Sequence, residues 1–181
     1  MLELRVTPAT DLTDADWLEL AEFLHTIWPN PDLSSEGRAE HREDAATDRP
    51  ASEVIRTYDG ERLIAAGQTF GREVLVDGQR RNALALAAFA VAEDRRGEGM
   101  GKQVVLEAFK RVDSGAFEFA IFQTGVPGFY QPMNCRVIDN KVVNSLADDP
   151  NANPFEDTHV MVYPANTLLG TGPVDMLGPG Y

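Results

Sequence analysis

The chain has 181 residues, 43% of them hydrophobic and 25% charged, the proportions of a folded chain rather than a disordered one. Its 29 Asp and Glu against 16 Lys and Arg leave a net charge of -13, which excludes a broad nucleic-acid surface, since that needs clustered positive charge. No apolar run nears the roughly 20 residues that cross a bilayer. The N-terminus lacks a secretory pattern, and the single cysteine, Cys135, allows neither an intrachain disulfide nor a multi-thiolate metal centre. These features predict a cytoplasmic protein with no metal, no membrane and no nucleic-acid partner. The acidity suits simple solubility, or a cleft that concentrates small cations.

Residues 2–7 alternate apolar and polar side chains and predict a first strand. Thr13 with Asp16 has the spacing of a capping box, and Trp17, Leu20, Ala21, Leu24, Ile27 and Trp28 then share one helical face up to Pro29. The polar stretch that follows has weak helical potential between Ser35 and Ala46 and no strong apolar face, so an exposed segment is expected. Three strands come next, at 52–58, 61–76 and 79–91. They are joined at Asp59-Gly60 and Asp77-Gly78, a strong hairpin signal that predicts an antiparallel meander. Residues 83–91 are nearly all apolar and predict a strand buried on both faces.

Val104, Val105, Ala108, Phe109 and Val112 mark a second helix, and 116–124 reads as another buried strand. A short helix interrupted by Pro132, a strand over 136–145 bent near Asp139-Asn140, a loop and a last strand at 158–165 complete the pattern. No repeat or linker divides the chain, which predicts one domain over 1–163 and a Gly/Pro-rich tail, 164–181, wandering over the surface.

Between the strand at 79–91 and the following helix lies RRGEGMGK, residues 95–102, with three glycines in five positions. The first N–H groups of a helix have no acceptor inside it, and the helix dipole favours an anion there. Glycines let the backbone approach that anion, and Arg95, Arg96 and Lys102 add positive charge. The Walker loop is excluded because Gly101-Lys102 is followed by Gln103. The dinucleotide fingerprint is excluded because the spacing is G-x-G-x-G and the loop follows a meander.

Arg96-Gly97-Glu98-Gly99-Met100-Gly101 matches R/Q-x-x-G-x-G/A, and the strand, loop and helix around it resemble the core of the GNAT superfamily, the acyl-CoA-dependent N-acetyltransferases. GFYQPMNCRVI, some thirty residues on, is similar to a second landmark of that family, F-Y-x-x-x-G-F, with Asn134-Cys135 in place of Gly-Phe. Two further departures are Glu93, where many relatives have proline, and the absence of a glutamate within 83–91, where many relatives carry the general base. The likeness extends over roughly residues 2–163.

The resemblance implies an α/β fold with a central, mostly antiparallel mixed sheet, helices on both faces and an opening for acyl-CoA. It implies transfer of an acetyl group from acetyl-CoA to a primary amine by direct attack and is compatible with a homodimer; the chain's acidity, not the resemblance, points to a small, cationic acceptor. On it, Arg96, Gly97, Glu98, Gly99, Met100, Gly101 and Lys102 hold the pyrophosphate, and the backbone of Phe89, Ala90 and Val91 bonds the pantetheine arm. Tyr130 stands by the coenzyme sulfur as proton donor; the alternative is a core tyrosine. The base stays open among His25, His41, His159, Glu118 and Asp139. His25, Trp28 and 29–46 become candidates for the acceptor wall, and Cys135 is a buried apolar residue. Two rivals stand beside this reading: a non-catalytic acyl-CoA-binding sensor or assembly module, and a long-chain acyltransferase whose tunnel is reshaped by 146–181.

Overall fold

A computed structural model describes residues 1–29 and 31–181. The strands are β1 (Leu2–Pro8), β2 (Glu53–Asp59), β3 (Arg62–Val76), β4 (Gln79–Val91), β5 (Phe119–Thr124), β6 (Arg136–Val137), β7 (Val142–Val143), β8 (His159–Tyr163) and β9 (Val174–Asp175). The helices are α1 (Asp14–Ile27), α2 (Ser35–Thr47), α3 (Met100–Asp113) and the single turn α4 (Pro127–Tyr130). Two compact units are built from them, Met1–Phe70 with Leu86–Ala108, and Gly71–Ala85 with Phe109–Tyr181. The mixed sheet has helices packed on it, and β3, β4 and α3 each pass from one unit to the other.

In the first unit β1, β2, β3 and β4 are neighbours in that order, β1 and β2 pairing antiparallel from Leu2 with Asp59 to Pro8 with Glu53. The hairpin turns are where Asp-Gly predicted them. At the second, Asp77 has φ 49° and Gly78 φ 76°, the left-handed pair a two-residue turn needs. Alternation sorts the side chains into two layers. Val54, Ala66 and Ala90 pack with Trp17, Leu20, Leu24, Ala39 and Ala46, the apolar faces of α1 and α2. Their neighbours Ile55, Ala65 and Phe89 pack with Met100, Val104 and Ala108 of α3. Consecutive strand residues point to opposite faces, so α1 and α2 cover one side and α3 the other. The capping box forms as expected: the Thr13 hydroxyl accepts from the Asp16 N–H at 3.3 Å, and the Asp16 carboxylate accepts from the Thr13 N–H at 2.9 Å.

In the second unit β4 and β5 pair parallel from Ala83 with Phe119 to Ala85 with Ile121, and β8 and β6 follow β5 in antiparallel order. β9 pairs antiparallel with β3 and parallel with β7.

Two expectations are corrected. The tail does not wander: Leu169, Val174 and Met176 are buried in this unit's core, and the Tyr181 hydroxyl donates to the Ile121 carbonyl at 2.7 Å. Its Gly and Pro residues shape a path across the sheet while its few apolar residues supply the burial. The strand over 83–91 is buried through Leu86 and again at Ala90, but Ala87, Ala88, Phe89 and Val91 are only half-buried. Ala88 sits at φ 55°, a left-handed residue inside a strand, which breaks the pleat as a bulge does.

Candidate functional site

The glycine loop connects β4 to α3 in the first unit. Gly97 has φ 85° and Gly99 φ 86°, with nothing within 4 Å of where a Cβ would stand. Their requirement for glycine is therefore conformational: a side chain would strain the backbone without clashing. The first bond into α3 runs from the Gln103 N–H to the Gly99 carbonyl at 3.1 Å, so the N–H groups of Met100, Gly101 and Lys102 have no acceptor within the helix. Met100 is buried and begins the ridge that docks α3.

The charges around the loop divide into two sets. Arg95, expected among the anion-facing cations, is bound to Asp59 at 2.7 Å and to Glu98 at 3.0 Å. Arg62 grips Asp94 through both nitrogens at 2.7 Å. These pairs tie the loop to the β2–β3 hairpin and hold the Glu98 carboxylate on Arg95. Arg96 and Lys102 form the other set. Both are exposed; among the described residues Lys102 has no ion pair, and Arg96 donates only to the Val91 carbonyl, at 3.4 Å. The loop thus presents two uncommitted cations, open N–H groups and a helix N-terminus, a combination suited to a diphosphate.

Phe89, Ala90 and Val91 lie just before this loop at the end of β4. Ala90 faces the α1–α2 layer, while Phe89 and Val91 face α3. Their side chains are packing groups, and what they offer a ligand is backbone.

Tyr130 belongs to the second unit. Its ring lies against Phe122 of β5 at 4.7 Å between centroids and meets Phe129 edge-on at 4.9 Å. The residue is 9% exposed, and its hydroxyl has no hydrogen-bond partner among the described residues. Burial first, then the nearby Cys135 and Asp157, push the phenol up to about 12. It is therefore protonated at neutral pH, a hydrogen-bond donor that no described residue engages.

The model of the family described as "Acetyltransferase (GNAT) domain" matches residues 9–138. The chain belongs to the GNAT acetyltransferase family. An acetyltransferase of Trypanosoma brucei is similar in fold, with TM-score 0.62 and 19% identity over 77% of this chain and 96% of that one. ElaA of Escherichia coli gives TM-score 0.59 and 15% identity over 90% and 99%. A GCN5-related N-acetyltransferase of Kribbella flavida gives TM-score 0.60 and 16% identity over 75% of this chain, which spans only 33% of that protein's length. No curated protein sequence matches the chain.

The departure from the GNAT second landmark has a structural reading. Asn134 stands where the landmark has glycine, and its backbone is left-handed, φ 62° and ψ 33°. Asparagine is among the few residues besides glycine that tolerate this region. Cys135, in the phenylalanine's place, is 5% exposed with its thiol pushed up to about 12 by burial, an inert apolar residue as expected.

The candidate bases are scattered over this GNAT chain. Glu118 is committed: it holds Arg81 at 2.8 Å and the Asn82 N–H at 3.0 Å, which keep it below the usual carboxylate range. His41 is exposed on α2, Asp139 is exposed after β6, and His25 is in the last turn of α1. His159 opens β8 opposite Thr124, and its Nδ1 is buried without a partner among the described residues. The chain order gave no sign of two further features, the Arg95–Asp59 tie and the bulge at Ala88.

Proposed function

We propose that this protein transfers the acetyl group of acetyl-CoA to the primary amine of a small, cationic acceptor by direct attack. The observation that carries the reading is the glycine loop: Gly97 and Gly99 held left-handed ahead of α3, with Arg96 and Lys102 uncommitted beside them. The loop N–H groups, Arg96 and Lys102 hold the coenzyme diphosphate. The backbone of Phe89, Ala90 and Val91 bonds the pantetheine arm, and an N–H near Val91 polarises the thioester carbonyl. Acetyl-CoA supplies the activated acyl group.

Tyr130 acts at the departing sulfur. A phenol pushed up to about 12 is a weaker acid than a thiol, so full proton transfer to the departing thiolate is unfavourable. Its role is a hydrogen bond to the sulfur as negative charge develops there. The amine proton leaves to a base through water. The family membership, the fold of the neighbours and the protonated state of Tyr130 support this account.

A second reading, a non-catalytic acyl-CoA-binding module, is favoured by one observation: β4 carries no carboxylate between Ala83 and Val91. Thermal unfolding with acetyl-CoA, coenzyme A, ATP and NAD tests what the two readings share. A ligand at 100 times its Kd adds roughly 2.7 kcal/mol of stability, a visible shift. A shift with the two coenzymes and none with NAD is expected; no shift with either coenzyme rejects both readings. Thiol release from acetyl-CoA on adding amines then separates enzyme from sensor.

A further inference from the structure

The segment leading into β8 is fastened to the end of β5. The N–H groups of Glu156 and Asp157 both donate to the Gln123 Oε1, at 2.9 and 2.8 Å, and His159 pairs with Thr124, the last residue of β5. Gly125 comes next in the chain, and the Asp157 Oδ1 lies 3.6 Å from where a Cβ on it would stand. The single turn α4 follows at once and ends on Tyr130. The second unit thus brings Asp157 and Tyr130 together at one end of β5. The Asp157 carboxylate is exposed and, among the described residues, has no ion pair and no hydrogen bond. Its charge reaches the Tyr130 phenol and, after burial and Cys135, helps to push it up. Tyr130 itself is 9% exposed with an unpartnered hydroxyl. Val126 and Phe129, beside it, are 61% and 43% exposed.

A lone carboxylate here works against acyl transfer. Negative charge develops on the departing sulfur beside Tyr130, and a second negative charge within reach of that phenol opposes it. A cation bound to Asp157 removes the opposition and lets the phenol donate more readily. That cation is not the attacked nitrogen, which must be neutral to attack, whereas a neighbouring carboxylate holds an amine protonated. It is a second charge on the acceptor. Methylenes between the two nitrogens suit the exposed apolar surface of Val126 and Phe129. We propose that Asp157 binds a second ammonium group of the acceptor, which is therefore an aliphatic diamine that reacts at one nitrogen and is held by the other. Reaction at the first nitrogen rests on the acetyl-transfer reading; the cation site itself does not.

Two measurements keep those claims apart. Wild type, Asp157→Asn and Glu156→Gln are titrated calorimetrically with 1,4-diaminobutane at low, constant ionic strength, with and without coenzyme A. Wild type and Glu156→Gln should bind it alike, and Asp157→Asn should lose roughly threefold or more in affinity, the scale of an exposed ion pair. Glu156→Gln removes the same unit of charge one residue away, so it separates a site from general acidity. No binding by wild type, or equal affinities in all three proteins, overturns the cation site whatever the enzyme does. Thiol release from acetyl-CoA is then compared for 1,4-diaminobutane and 4-amino-1-butanol, which share a chain length and a reacting amine. In wild type the diamine should exceed the amino alcohol roughly fivefold or more in kcat/KM, and the preference should fade as salt is added. Asp157→Asn should lower kcat/KM for the diamine and leave it equal or higher for the amino alcohol, because the lone charge is gone. A preference that survives the substitution, or equal losses with both amines, overturns the acceptor assignment. If acetyl-CoA neither binds nor reacts, the transferase reading fails, and with it the reaction at the first nitrogen; the diamine titration still decides the site.

Discussion

The ring of Phe89 occupies the space that a side chain at Gly67 would need: a Cβ built there would stand 2.7 Å from two ring carbons and 2.8 Å from a third. β3 and β4 are therefore matched in shape beside the bulge at Ala88, where β4 turns half-exposed. Gly67→Ala must push the ring away, an overpacking that costs about 1–3 kcal/mol. It should also weaken acetyl-CoA binding, because the displaced residue carries backbone proposed to bond the pantetheine arm. Urea midpoints and a coenzyme titration check this. A variant unchanged in both would mean the strand yields without cost.

Gly97 and Gly99 should behave alike, and unlike Gly67. Alanine at either position meets no neighbour but must adopt a left-handed φ, a cost of about 1–2 kcal/mol. If the backbone relaxes instead, the N–H groups turn away from the diphosphate. We expect acetyl-CoA affinity to fall at least tenfold in each variant, read by calorimetric titration. Wild-type affinity in both would separate the loop from coenzyme binding.

Tyr130→Phe removes one unpartnered hydroxyl and leaves the contacts with Phe122 and Phe129 intact. A hydrogen bond to a charged group is worth about 1.5–3 kcal/mol, so kcat should drop roughly 10- to 150-fold while acetyl-CoA Kd changes little. The phenol, pushed up to about 12, stays protonated through the range where an ordinary tyrosine, near 10, ionises. The alkaline limb of kcat in wild type should accordingly show no loss near 10. A Phe variant with wild-type kcat would return Tyr130 to the role of a core tyrosine.

Asp16 and Arg56 make the first unit sensitive to acid. Arg56 is 4% exposed and binds the Asp16 carboxylate, with Glu19 farther off at 3.9 Å. Burial pushes the Asp16 carboxyl up, but hydrogen bonds from Arg56 and from the Thr13 hydroxyl and N–H outweigh it and hold it at about 2. The folded value lies below the unfolded 3.8, so the stability it contributes is present above 3.8 and is lost as pH falls toward 2. Asp16→Asn leaves a buried guanidinium poorly paired and should cost about 3 kcal/mol at neutral pH. The gap to wild type should shrink as the pH approaches 2 in urea titrations. A gap that stays constant would mean the pair contributes nothing through its charge.

The features readable from the chain share one property: each is set by residues close in sequence. The capping box needs Thr13 and Asp16, the hairpin turns need Asp-Gly, and the loop needs its glycines together ahead of a helix. The apolar spacing of Val104 to Val112 marks α3 without reference to anything else. Where the reading went astray, the deciding partner is distant. Arg95 looked free in sequence and is taken up by Asp59, 36 positions away. The tail looked unable to pack because its composition was weighed without the sheet face it covers. Residues 83–91 looked uniformly buried because a bulge at an alanine leaves no compositional trace.

By itself, then, the sequence determined helices α1 and α3, the meander and the glycine loop, because turn conformation and amphipathic period are local properties of a chain. The tertiary structure alone decided which cations the loop leaves uncommitted, that Tyr130 is buried and protonated, and that Asn134 takes a left-handed backbone. Those depend on burial and on which charges meet across space, and both are properties of the packed chain, where water is removed and distant groups become neighbours.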